Sequence, residues 1–172
     1  MALRIGTRGS KLALWQANRV KDLLSAEGIA SELVLYKTTG DINQSRPLHL
    51  IGEKGLFTKA LDEAQLRGEV DLTVHSSKDL PSVLPEGLEI GAFLKREDPR
   101  DVLLAEAEDV DLDNFNRQLV IGTSSLRRGA FLRHYLPHCE VKLIRGNVDT
   151  RLAKMRAGEY DGILLALSLI HI

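Results

Sequence analysis

Hydrophobic positions along the chain fall into two spacings, short aliphatic runs and helical stripes, and the two alternate. Leu3-Arg4-Ile5-Gly6-Thr7 reads as a short strand. Ser10 then caps a helix whose Ala13, Ala17, Val20 and Leu24 share one face, and Gly28 stops it. Ser31 to Thr39 is a second strand, so the chain opens on a βαβ unit with its turn at Thr7-Arg8-Gly9-Ser10. Asp41 to Leu56 keeps no sustained period, and a connection of that length is expected to be a functional loop or lid. Its end, Gly52-Glu53-Lys54-Gly55-Leu56-Phe57, lacks the spacing and the final Lys-Ser or Lys-Thr of a phosphate-binding P-loop.

The alternation continues. Phe57, Ala60, Leu61 and Ala64 form a helical stripe ended by Gly68, and Val70 to Val74 is a strand running into His75-Ser76-Ser77-Lys78-Asp79. Leu80-Pro81 and Leu84-Pro85 mark a loop, and Leu88 to Leu94 reads as another strand. Lys95 to Asp101 is a charged break containing Pro99, where a hinge is expected; it divides the chain into lobes of 1–95 and 96–172. Val102 to Ala105 is a strand, followed by an acidic solvated loop from Glu106 to Asp113 without metal-ligand spacing. Val120-Ile121-Gly122 is a buried strand that turns through Thr123-Ser124-Ser125 into a helix reaching about Leu136. A strand from Glu140 to Ile144, the turn Arg145 to Arg151, a helix with Leu152 and Met155 inward that Gly158 ends, and a buried strand from Asp161 to Ala166 complete the pattern.

Charge narrows the function. The 172 residues carry 23 Lys and Arg against 24 Asp and Glu, a net charge of -1. No global field attracts nucleic acid or an anionic membrane, and an anion site must come from a local group of arginines. One cysteine, Cys139, excludes an internal disulfide, and no obvious base or partner stands beside it, so it reads as structural. Met1-Ala2-Leu3-Arg4-Ile5 leads straight into a strand, not into a signal peptide, and no apolar run approaches the roughly 20 residues of a membrane span. A cytoplasmic chain is expected.

A strand that ends at a helix start leaves backbone N–H groups free to meet an anion, and hydroxyls and guanidiniums there add donors. Val120 to Arg128 has this form; on that stretch alone an anion site, or a plain Ser124 N-cap with Arg127 and Arg128 solvating a helix face, both remain open. Ser76, Lys78 and Asp79 crowd the carboxyl end of another strand, where open α/β sheets bind ligands; the alternative is a solvated turn pair, and His75 reads as a hydrogen-bonded structural histidine. Ile5-Gly6-Thr7-Arg8-Gly9-Ser10 and Ile121-Gly122-Thr123-Ser124-Ser125 begin alike at matching places in their βα patterns. Two lobes of similar build, gripping a small polycarboxylate with arginines from both across a shared cleft, are expected.

In order, Gly6-Thr7-Arg8-Gly9-Ser10 with Leu14-Trp15-Gln16, Gly55-Leu56-Phe57, Val74 to Pro81, Arg96 to Asp101, Ile121 to Arg128 and Arg145 to Arg151 resemble the porphobilinogen deaminase (hydroxymethylbilane synthase) family, from Leu3 to about Ala166. The resemblance implies a transferase of tetrapyrrole and heme biosynthesis that condenses porphobilinogen head to tail into hydroxymethylbilane, releasing ammonia. It implies two α/β lobes of the type II periplasmic-binding-protein kind, each a mostly parallel or mixed sheet flanked by helices, and a third α+β domain. It further implies a dipyrromethane cofactor, porphobilinogen and oligopyrrole intermediates as partners, and a monomer with no nucleic-acid or membrane partner. Carried onto matching positions, Asp79 is the catalytic aspartate. Arg8, Arg127, Arg128, Arg145 and Arg151 bind side-chain carboxylates with Ser10, Ser76, Lys78, Thr123, Ser124 and Ser125, while Lys54 and Phe57 belong to a lid loop. No cysteine here matches the position that anchors the cofactor, and Cys139 does not replace it.

Leu167-Ser168-Leu169-Ile170-His171-Ile172 departs from the family pattern. A truncated chain is therefore expected, lacking the third domain and the segment that returns to the first lobe, and inactive alone. The alternative function is a two-lobed module that binds a small anion without chemistry.

Overall fold

A computed structural model describes residues 2–38, 55–106 and 118–169. The chain divides into two compact units, Met1–Leu94 and Lys95–His171. Each is an α/β layer structure. No helix among the described residues is long and apolar enough to cross a membrane.

The first unit is a three-stranded parallel sheet of order β2-β1-β3, with β1 Leu3–Arg8, β2 Ser31–Tyr36 and β3 Leu72–Thr73. Helix α1, Lys11–Ala26, follows β1, and α2, Lys59–Leu66, precedes β3. Ile5, Ala13, Ala17, Leu61, Ala64 and Val70 are buried and form the core, where each fully enclosed Ile, Leu or Val contributes about 1.5–3 kcal/mol. Ser10 caps α1 by accepting from the Ala13 N–H at 3.3 Å, and Gly28, at φ +74°, takes the left-handed turn that ends the helix. Arg4 and Asp71 fasten β1 to the approach of β3 through backbone and guanidinium bonds of 2.8 and 2.9 Å. These bonds hold the Asp71 carboxyl down to about 2.

Two expected strands differ. Val70 to Val74 contributes only Leu72–Thr73 to the ladder, because after the Val74 N–H donates to the Gly6 carbonyl the chain leaves the sheet for a 3-10 turn at Ser77–Asp79. Leu88 to Leu94 forms no strand. It has no pairing partner among the described residues, and Ile90, Phe93 and Leu94 are exposed; an apolar run without a neighbour to bond cannot hold a ladder.

The second unit is a mixed sheet of order β4-β7-β5-β6, with β4 Asp101–Ala105, β5 Val120–Gly122, β6 Glu140–Lys142 and β7 Gly162–Ala166. β5 runs parallel to β6 and β7, and β4 runs antiparallel to β7. Helix α3, Leu126–Tyr135, follows β5 and α4, Val148–Arg156, follows β6. Along β7, Leu164 packs with Leu119, Ile121, Leu132 and Cys139, while Ile163 and Leu165 pack with Ile144 and Met155. That alternation places α3 and α4 on opposite faces of one sheet. The strand expected to reach Ile144 stops at Lys142, although Ile144 itself is buried.

Ile5-Gly6-Thr7 and Ile121-Gly122-Thr123 are buried at the ends of β1 and β5, and each is followed by a serine-capped helix. The glycines let neighbours close in. A Cβ on Gly122 would stand 2.8 Å from Tyr160 Cδ1, and the Tyr160 hydroxyl is tied to the Leu143 carbonyl at 3.0 Å; at Gly6 the nearest side-chain atom is 3.1 Å away. Gly122→Ala is therefore expected to lower stability in urea unfolding by about 1–3 kcal/mol and by more than Gly6→Ala. Unchanged stability would show that this close approach is dispensable.

Candidate functional site

In the first unit, β1 and β3 are parallel, so their carboxyl ends share one edge. Arg8 closes β1 there, and the chain leaving β3 brings His75, Ser76, Lys78 and Asp79 to the same edge. Arg8 Nη1 lies 3.9 Å from Asp79 Oδ2, and the two side chains are 19% and 21% exposed. The Arg8 guanidinium also sits over the Phe57 ring, 4.3 Å from its centroid. Asp79 is thus a charge-paired group beside an arginine, not a solvated turn residue. Lys78 is exposed.

The turn is held from behind. Ser76 Oγ and the Gln16 amide are 3.1 Å apart, which joins α1 to the loop, and the Asp79 N–H donates to the Ser76 carbonyl at 2.9 Å. The Ser10 hydroxyl oxygen is committed to its helix cap. Lys54 lies outside the described residues, as do most of the lid expected from Asp41 to Leu56 and most of the acidic loop after Glu106. A groove of about 360 Å³ lined by Thr58, Asp62, Leu66, Val83 and Pro85 contains none of the strand-end residues.

In the second unit, the cap of α3 is Ser125, not Ser124: its Oγ accepts from the Arg128 N–H at 3.3 Å, and the buried Thr123 Oγ1 accepts from the Ser125 N–H at 3.2 Å. Thr123 takes the first tight turn, so the helix begins one residue later than a Ser124 cap requires. Arg127 and Arg128 do not simply solvate a helix face. Both grip Asp101, with Arg127 Nη2 at 2.8 Å and Arg128 Nη2 at 2.6 Å. The Arg128 hydrogen bond, opposed by burial and helped by Arg127, holds the Asp101 carboxyl below the usual range. Arg128 Nη1 also donates to the Leu164 carbonyl at 3.3 Å, and its buried Nε has no hydrogen-bond partner.

Arg145 and Arg151 complete the group. Arg151 Nε donates to the Gly146 carbonyl at 2.9 Å, and burial, then the charges of Arg128 and Arg145, push its guanidinium below the ordinary value. Asn147 caps α4 by accepting from the Thr150 N–H at 2.8 Å, which fixes where the helix carrying Arg151 begins. Crowded like charges of this kind suit an anion. Ser124 stands half-buried in the same turn. Cys139 is buried and its thiol is pushed up by burial and by Asp161, which leaves little thiolate.

Gln16 and Asp101 fall inside stretches that carry the family resemblance, but reading the sequence assigned neither a site role. Asp101 reaches the edge only because β4 is antiparallel: it pairs with Ala166 at the carboxyl end of β7, beside the end of β5. The charged run before it carried no such topological signal.

Burial also decides the state of His75. Desolvation lowers its imidazole below the ordinary value of 6.5, Arg8 adds to that, and Asp62 and Asp79 oppose it. Its Nε2 is buried without a hydrogen-bond partner. An imidazole lowered in the fold binds protons more readily once unfolded, so stability must rise with pH through this window. Urea unfolding is expected to show stability falling as pH drops below 6.5, with a smaller fall in His75→Gln; equal slopes would assign the loss to other groups.

Comparison with known proteins supplies the context. A family model described as porphobilinogen deaminase, dipyromethane cofactor binding domain, matches residues 3–171. Curated porphobilinogen deaminases from a Nitratiruptor species and from Desulfosudis oleivorans are 53% and 45% identical to the chain over 166 and 171 residues, covering 96% and 99% of it. The chain spans about half the length of these relatives, 53% and 55%. Among solved structures, the periplasmic VFT2 domain of Bordetella pertussis BvgS is similar at 12% identity with a TM-score of 0.49, over 96% of this chain and 66% of that one.

Proposed function

The chain belongs to the porphobilinogen deaminase family, and from that premise we propose that it serves the stepwise condensation of porphobilinogen into hydroxymethylbilane with release of ammonia. The reading is supported above all by Asp79, which stands 3.9 Å from Arg8 at the carboxyl edge of a parallel sheet, inside the matched stretch.

Porphobilinogen carries an acetate and a propionate, and each added unit adds two more carboxylates. Arg8 in the first unit and Arg127, Arg128, Arg145 and Arg151 in the second bind these groups, with Ser10, Ser76, Lys78, Thr123, Ser124 and Ser125 adding hydroxyl, ammonium and backbone donors. Departure of ammonia leaves a cationic azafulvene from the substrate. Asp79 offers that cation a negative charge already fixed in place, and it can take up the ring proton that the attacking pyrrole later sheds. Gln16 and Ser76 keep its turn from shifting, and the Phe57 ring supports Arg8 beside it.

A dipyrromethane cofactor is itself a polycarboxylate. Arg128 and Arg145, whose charges both press on Arg151, fit its side chains together with Arg151. When bound it supplies the pyrrole carbon to which the first substrate unit is joined. Cys139 does not fit as its anchor, since it is packed among Leu119, Ile121 and Leu132.

The proposal is tested in a chimaera of this chain with the C-terminal half of a curated relative. Asp79→Ala is expected to lower ammonia release by at least about a hundredfold while porphobilinogen binding stays within a few-fold. Tight binding with no ammonia release from the unsubstituted chimaera would favour an anion-binding module instead.

A further inference from the structure

Two strand-end arginines of the second unit, Arg127 and Arg128, share one carboxylate of the protein itself. Asp101 presents one carboxylate oxygen to Arg127 at 2.8 Å and the other to Arg128 at 2.6 Å, an arrangement that aligns two guanidiniums on a single planar group. The two arginines differ in commitment. Arg127 is 66% exposed and makes one contact to this carboxylate, whereas Arg128 is 16% exposed and is held a second time by the Leu164 carbonyl.

We infer that Asp101 is a positioning residue for carboxylate recognition: it anchors Arg128 and bridges it to Arg127, so that the two guanidiniums are held side by side before a carboxylate arrives. The inference rests on the proposed binding of porphobilinogen carboxylates by these arginines. Topology makes it specific. β4 is the antiparallel strand of this sheet, and that reversal brings its first residue, Asp101, to the carboxyl edge where α3 begins.

Charge supports the same role. Arg127, Arg128, Arg145 and Arg151 bring four positive charges to the unit, and Arg128 and Arg145 already depress Arg151. The fixed negative charge of Asp101 relieves part of the repulsion at Arg128. Were Asp101 instead a plug occupying the ligand's place, its removal would strengthen binding. One feature opposes that reading: Arg128 is 16% exposed and is bonded at once to Asp101 and to the Leu164 carbonyl, so this carboxylate is tied into the scaffold.

The test is calorimetric titration of the chain with porphobilinogen, unsubstituted and as Asp101→Asn and Asp101→Glu, with thermal unfolding of each. Asp101→Asn, which keeps the shape and removes the charge, is expected to weaken binding about tenfold with little change in unfolding temperature. Asp101→Glu, which restores the charge, is expected to recover part of that loss, as a merely structural role would not require. If Asp101→Asn lowers the unfolding temperature sharply, recovery of binding in a folded Asp101→Glu decides for the proposal and absence of recovery decides against it. Binding unchanged or strengthened in Asp101→Asn would overturn the inference alone. Failure of the unsubstituted chain to bind porphobilinogen would overturn the functional reading and the inference with it.

Discussion

Guanidinium groups cannot be crowded without a counter-charge, and this constraint organises both units. In the second, Arg128, Arg145 and Arg151 stand close enough for two of them to depress the third, and Asp101 offsets part of the repulsion. In the first, Arg8 is balanced by Asp79 and lies over the Phe57 ring. In each unit one acidic residue, Asp101 or Asp79, is held in place against an arginine and offsets part of its charge. An arginine group neutralised one for one would attract nothing, and one left wholly unbalanced would splay into solvent.

The scaffold beneath that chemistry is the same in both units. A strand buried through Ile-Gly-Thr reaches a sheet edge, and the serine that caps the next helix stands two or three residues past the strand's end. Buried threonines supply side-chain bonds to backbone within the turn: Thr7 Oγ1 donates to the Ala13 carbonyl, and Thr123 Oγ1 accepts from the Ser125 N–H. The turns are thereby held by side chains of their own sequence, and the arginines that follow leave from fixed points. The helices differ in what they place there, Arg8 preceding its cap and Arg127 and Arg128 following theirs.

Much of this was readable before any coordinates. Ser10 and Gly28 as the bounds of α1, the stripe of Leu61 and Ala64, and the strands through Ile5 and Ile121 follow from local periodicity and capping, which are short-range effects. Family likeness is what nominated the arginines and Asp79 as candidates. What local pattern could not supply was pairing. Leu88 to Leu94 has a strand's composition but no neighbour among the described residues, and the role of Asp101 depends on an antiparallel strand whose direction no nearby residue announces. Moving the cap from Ser124 to Ser125 similarly depends on how Thr123 folds back, a contact two residues long that composition leaves open.

The central claim is that carboxylates are held by this particular set of guanidiniums. The direct measurement is the NMR of arginine Nε–Hε groups during titration of the chain with porphobilinogen. Saturable shifts at Arg8, Arg127, Arg128, Arg145 and Arg151, with Arg19, Arg133 and Arg156 unmoved, are the result the account predicts. Shifts confined to Arg19, Arg133 and Arg156, or uniform across all arginines, would contradict it.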